Sequence, residues 1–288
     1  MKNALGILLA FFPLGALQPA LSQQAAGPPA VLRIFREDVK EGKAAAHEKT
    51  EAAFMQAAAK MNYSTHILGL AAFTGTSHAV FLEGYDTFAA VADSEAELDK
   101  PEFAALDAAD AELRTSHRSQ LAVYRPDLSY AVNKINLPKT RFFSIETVRI
   151  REGQLQTYTQ LVKMLIDAAG KSADPQPVTT YEVVSGAPNS TFLVLEPMES
   201  LKAIDEELRR DPAFFQAMGQ EGMKRYNQGV SEISISAEPI LYAVSPQMSY
   251  VPKEWIAADP DFWTPKPVEI KPAPAKSSPK TTKKPASK

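Results

Sequence analysis

The chain has 288 residues, of which 45% are hydrophobic and 23% charged, with a formal net charge of −3. That is material for one large or two small domains, and it excludes collagen-like, wholly disordered and disulfide-stapled architectures. Cysteine is absent, which excludes thiolate catalysis, cysteine zinc sites, iron–sulfur clusters and a lipid-modified N-terminal cysteine.

The first element is an export signal. Lys2 supplies a short positive region, Ala4 to Leu17 is apolar, and Pro19 precedes small residues at Ala20 and Ser22. This is the pattern of a secretory signal peptide over residues 1–22. The apolar run is too short to span a bilayer and is interrupted by Pro13. The expected mature chain starts near Gln23, with a linker over 23–30, and is periplasmic or extracellular.

Next comes a first folded half, residues 31–130. The pattern predicts a strand over Val31–Glu37, a helix over Gly42–Met61, and strands over Tyr63–Phe73 and His78–Glu83. Helices start from Asp86 and Pro101, and a strand covers Gln120–Tyr124. Residues 131–141 form a linker. A second half over 142–250 begins with a strand at Phe142–Ile150. Leu155, Tyr158, Val162, Leu165 and Ala169 then make the stripe of an amphipathic helix that Gly170 ends. The runs Val178–Val184 and Thr191–Leu195 flank a Gly186–Asn189 turn. Helical patterns follow around Leu201, Ile204 and Leu208, and around Phe214, Phe215 and Met218. The half closes on a strand at Glu232–Ser236 or Ile240–Val244.

A C-terminal extension, 251–263, leads to a tail over 264–288 with seven Lys, one Glu and no aromatic residue. A segment of this composition has too little apolar surface to offset the entropy of ordering, so disorder is expected. Without Lys2 and the tail, 23 basic residues face 33 acidic ones, so a body near −10 carries a tail of +6. The tail suits anionic envelope polymers or lipid headgroups as partners, and the acidic body argues against nucleic acid.

The two halves echo each other. Val31 to Gly42 has a counterpart in Phe142 to Gly153, 111 positions later, and both end in aliphatic–basic–Glu–Gly. Lys100-Pro101-Glu102-Phe103 matches Asp211-Pro212-Ala213-Phe214 at the same offset. Tyr124 to Tyr130 matches Val244 to Tyr250 at an offset of 120, which places nine extra residues between Phe214 and Leu241. The fold class implied is α+β: two ferredoxin-like βαββαβ halves from an internal duplication, closing into one pseudo-dimeric barrel in a monomer. Leu32, Ile34, Phe143 and Ile145 are expected under the helices. Arg33, Phe35 and Glu37, with Ser144, Glu146 and Val148, are then expected to line the lumen.

A strand ending in hydrophobic–basic–x–Gly, an aromatic five positions on (Gly153 to Tyr158), and the Asp211–Phe214 motif resemble the dimeric α+β-barrel proteins. That group includes the antibiotic-biosynthesis-monooxygenase-like and NIPSNAP-like families. The resemblance covers roughly 31–130 and 142–250, and it implies the barrel fold. As to activity, it implies a monooxygenase-like alternative, cofactor-independent or heme-assisted.

The residues themselves name no reaction. Arg33 and Glu146 are candidate ligand-binding residues at matching strand positions, and a buried Arg–Glu pair suits a polar ligand. His66 and His78 lie on predicted strands and are further candidates. His47 aligns with Tyr158 and is expected to pack, and His117 is placed near the end of a charged helix. No His spacing forms a zinc motif, no phosphate loop or nucleophile elbow is present, and no metal is indicated. No cofactor motif is present, with heme left open. The functions kept open are an exported barrel that binds a small or hydrophobic molecule or serves as an envelope module, the monooxygenase-like enzyme, and a scaffold acting through its basic tail.

Overall fold

A computed structural model describes residues 27–171 and 176–264. The signal-peptide and tail assignments lie outside these residues, except for Thr264.

The described chain forms eight strands: β1 (Val31–Val39), β2 (Ile67–Ala72), β3 (His78–Tyr85), β4 (Arg114–Tyr124), β5 (Phe142–Ile150), β6 (Thr179–Ser185), β7 (Thr191–Met198) and β8 (Ser234–Val244). They close into an antiparallel barrel in the order β1-β3-β2-β8-β5-β7-β6-β4. Each half contributes the same local order, β4-β1-β3-β2 and β8-β5-β7-β6. The seams are β2–β8, where Leu70 faces Val244, and β4–β6, where Tyr124 faces Tyr181.

Position by position, the halves correspond closely. Both β1 and β5 are nine residues long, both β4 and β8 eleven. The β1–β4 ladder slips between Asp38 and Val39 so that Val39 faces Arg114, and the β5–β8 ladder slips between Arg149 and Ile150 so that Ile150 faces Ser234. The Ile67–Tyr250 bridge has its counterpart in Tyr130–Val178.

The helices are α1 (Ala44–Met61), α2 (Phe88–Leu98), α3 (Pro101–Ala111), α4 (Leu155–Ala169), α5 (Lys202–Ile233), α6 (Lys253–Ala258) and α7 (Pro260–Trp263). Thr87 caps α2 by accepting from the Ala90 amide, and Pro101 opens α3, where a missing N–H is harmless. The two helical patterns expected after Leu201 form one run, α5, which contains Pro212 and breaks at Gly219 (φ 67°, ψ 166°). The run also absorbs the nine extra residues, since α5 continues to Ile233. The two alternatives for the last strand are one strand, β8.

The lumen reverses the expected strand faces. Leu32, Ile34, Leu70, Val80, Leu82, Ala122, Phe143, Ile145, Tyr181, Val183, Leu193, Leu195, Tyr242 and Val244 form one buried cluster drawn from all eight strands. A period of two separates two faces but does not say which one is inside. An eight-stranded barrel is just wide enough for side chains to fill, so it takes the mainly apolar face, with Arg36, His78, Gln120 and Thr147 toward one end. The mixed face, with Arg33, Phe35 and Glu37, turns outward under the helices, where Arg33 pairs with Glu83 and Glu95, and Glu37 with His47 and Arg114. Trp263 joins the lumen cluster from α7 and donates its indole N–H to the Pro138 carbonyl at 3.0 Å. The extension therefore packs against the barrel.

His117 lies on β4 rather than on a helix, with its ring stacked 5.6 Å from Phe35. The first part of β4 pairs only with β1, because β6 joins it from Leu121. Its exposed polar side chains hide the alternation that marks a strand.

Candidate functional site

The four sequence candidates do not meet. Arg33 reaches Glu83 on β3 (3.7 Å) and pairs with Glu95 on α2, far from Glu146 in chain and partner set. Glu146 sits under the helices of the second half, where burial raises its carboxyl above the usual range. His66 precedes β2 and stacks its ring 5.1 Å from Tyr250. His78 opens β3 on the lumen side, 3% exposed. Its Nδ1–H donates to the Thr76 carbonyl (2.7 Å) and its Nε2 accepts from the Tyr242 hydroxyl (2.9 Å), while burial holds its pKa low. Both nitrogens of this neutral ring are occupied.

The lumen itself holds a cavity of about 60 Å³ among Ile34, Arg36, Thr147 and Tyr242. That is room for a few waters, against the roughly 300–1,000 Å³ of pockets that bury a hydrophobic ligand. A groove of about 240 Å³ lies between α4 and α5. Heme, which the family resemblance leaves open, does not fit the residues present: both cavities fall below a cofactor pocket, and neither is lined by histidine.

Polar chemistry concentrates instead between β1, α1, α3 and β4. Glu37, on the outward face of β1, is 7% exposed; His47 and Glu51, one turn apart on α1, are 2% and 8%; Asp110, near the end of α3, is 3%. His47 Nε2 is 2.9 Å from Glu37 Oε2 and 3.7 Å from Asp110 Oδ2. Arg114, the first residue of β4, donates to Glu37 Oε1 (2.5 Å) and lies with Nε 3.1 Å from Asp110 Oδ2. It also donates to Asp107 at the exposed rim (2.6 Å), and Thr50 donates to Asp110 Oδ1 (2.6 Å). One donor atom from each of Glu37, His47, Glu51 and Asp110 lies within 4.8 Å of the others.

Among the described residues the Glu51 carboxyl has no hydrogen-bond or ion-pair partner within normal reach, and its neighbours are the other three donors. Burial first, then the Glu37 and Asp110 carboxylates, push its pKa up to about 9. Burial likewise raises the Asp110 carboxyl, against the pull of Thr50, His47 and Arg114. The packing role expected of His47 is thus corrected: the ring is buried, but as part of a charged cluster. The absence of a metal motif in the sequence reflects spacing within single motifs, whereas this set of possible donors is assembled from three elements. Only the His47–Glu51 pair, four apart on one helix face, was a local signal.

The second half places apolar residues at the same positions. Val148, Tyr158, Val162 and Val230 stand where the first half has Glu37, His47, Glu51 and Asp110, and all four join one apolar cluster. Ser234 stands where Arg114 does.

Neither a family model nor a curated protein matches the chain. Among solved structures, an anthrone oxidase-like protein is 11% identical with a TM-score of 0.49, covering 76% of this chain and 93% of its own. Chlorite dismutase from Candidatus Nitrospira defluvii is 10% identical with a TM-score of 0.46, covering 80% and 95%. An uncharacterized NIPSNAP domain protein from Burkholderia xenovorans is 16% identical with a TM-score of 0.30, covering 33% of this chain and 95% of its own.

Proposed function

We propose that this protein is an exported, cation-binding module of the cell envelope, built by internal duplication, in which the first half works and the second supports it. One observation carries the reading: at the matched positions of the same fold, Glu37, His47, Glu51 and Asp110 in one half stand where the other has Val148, Tyr158, Val162 and Val230. Burying ions costs several kcal/mol each, and apolar replacements of similar volume are often neutral or stabilising. The second half is such a replacement, so the barrel does not need Glu37, His47, Glu51, Asp110 and Arg114 in order to fold. With Glu51 deprotonated, three carboxylates against one guanidinium leave two negative charges in a buried layer, which is the chemistry of a cation site.

Export follows from the signal at residues 1–22, and the Lys-rich tail serves as a tether to anionic envelope polymer. The test grafts the second half's residues into the first: Glu37→Val, His47→Tyr, Glu51→Val, Asp110→Val and Arg114→Ser together. The variant is expected to fold, to melt no lower than wild type, and to lose divalent-cation binding in calorimetry. A variant that fails to fold would show the charges to be structural and end the reading.

A further inference from the structure

Resting on that reading, we propose that the cation is a divalent transition metal of the Mn²⁺, Fe²⁺ or Zn²⁺ class, ligated by His47, Glu37, Glu51 and Asp110 in the first half.

The argument is in how each ligand is held. Glu37 gives Oε1 to Arg114 and points Oε2 inward; Asp110 gives Oδ1 to Thr50 and points Oδ2 inward. One oxygen of each carboxylate is therefore anchored from outside while the other faces His47, Glu37 Oε2 at 2.9 Å and Asp110 Oδ2 at 3.7 Å, as in metal sites whose outer partners orient the ligands. Asp110 Oδ2 is buried and makes no hydrogen bond, though Arg114 Nε is 3.1 Å away. Glu51, more than nine-tenths buried, contributes an oxygen to the same set and has no partner of its own. A buried oxygen such as Asp110 Oδ2, without a hydrogen bond and facing the other donors, is costly unless a cation lies beside it.

The donor set decides the class of ion. One imidazole nitrogen among carboxylate oxygens selects transition metals over calcium and magnesium, which take oxygen alone. Ligands about 2.1 Å from a common ion stand about 3.4 Å apart in a tetrahedron. The present spread of up to 4.8 Å closes to that by side-chain rotation on α1 and α3. Binding displaces to solvent both the proton between His47 Nε2 and Glu37 Oε2 and the proton on Glu51, which leaves three carboxylates and one guanidinium around the ion. Two residual negative charges then meet two positive ones.

The test uses the mature full-length chain, stripped with a chelator and titrated calorimetrically with Zn²⁺, Mn²⁺, Mg²⁺ and Ca²⁺, with Co²⁺ as an optical probe. One equivalent of Zn²⁺ or Mn²⁺ is expected to bind, and Co²⁺ should give visible bands. Glu51→Gln and His47→Gln should each weaken binding at least about 10-fold. Both keep side-chain volume, and circular dichroism checks that they fold. If Ca²⁺ or Mg²⁺ binds as tightly as Zn²⁺ and His47→Gln changes nothing, the transition-metal assignment fails while the cation-binding reading stands. If no cation binds, both fail.

Discussion

Arg114 is the residue on which the charged layer depends, and its removal gives a quantitative test. Glu37 and Asp110, 7% and 3% exposed, face Arg114 at 2.5 and 3.1 Å. Replacing Arg114 with Met keeps the apolar stem but leaves two buried carboxylates facing only His47 and Thr50. Breaking a buried ion pair by removing one partner costs about 3–5 kcal/mol, because the remaining charge is uncompensated. The lost contact to exposed Asp107 adds under about 1 kcal/mol. For a body of this size the melting temperature should fall by about 10 °C. Urea unfolding followed by far-UV circular dichroism measures the difference. In a background carrying Glu37→Val, His47→Tyr, Glu51→Val and Asp110→Val, the same substitution should cost less than about 1 kcal/mol, since no carboxylate is left to compensate. If Arg114→Met costs less than about 1 kcal/mol in the wild-type chain, Arg114 is not the counterion of a charged layer.

Two further outcomes test the rest of the body. Glu196 on β7, raised to about 7 by burial and by Glu207 on α5 and Glu146 on β5, binds its proton more tightly folded than unfolded, where the ordinary value is 4.5. Its contribution to stability is therefore full below pH 4.5 and lost as pH rises to 7, by up to about 3 kcal/mol, and Glu196→Gln should flatten that part of the stability–pH curve. Gly69 on β2 is clamped by the 245–249 segment, and an added Cβ would lie 2.1 Å from the Met248 carbonyl oxygen. Gly69→Ala should cost at least about 2 kcal/mol in urea unfolding; a neutral result would mean that this segment does not pack as described.

The fold was legible because its signals are local and repeated. The aliphatic–basic–Glu–Gly endings at Gly42 and Gly153, the stripe from Leu155 to Ala169, and the offsets of 111 and 120 placed seven of eight strands and the main helices within a few residues. What the pattern could not supply was the sign of each face. Arg33, Phe35 and Glu37 read equally well as a polar lumen or as a layer under charged helices, and only closure at eight strands decides between them. The start of β4, Arg114 to Ser119, was obscured because it pairs on one side and shows polar side chains to solvent.

The site was less legible, for a reason that bears on its role. Glu37, His47, Glu51, Asp110 and Arg114 span 77 positions and meet only when β1, α1, α3 and β4 are assembled. Aligning the halves matched His47 with Tyr158 and suggested packing, which treated the second half as the rule. The structure supports the opposite inference. A barrel shares one core between its halves, so that core must stay apolar in both: Leu32 and Ile34 match Phe143 and Ile145. The outer layers lie on opposite sides of the barrel and exchange only end segments, Met248 and Tyr250 packing into the first and Leu128 into the second, so the residues around His47 can carry charge without a matching charge in the second half. A buried charge that its structural counterpart does without is retained at a cost in stability. In this chain the contrast falls at five matched positions that meet at one point, where Asp110 Oδ2 is also left without a hydrogen bond.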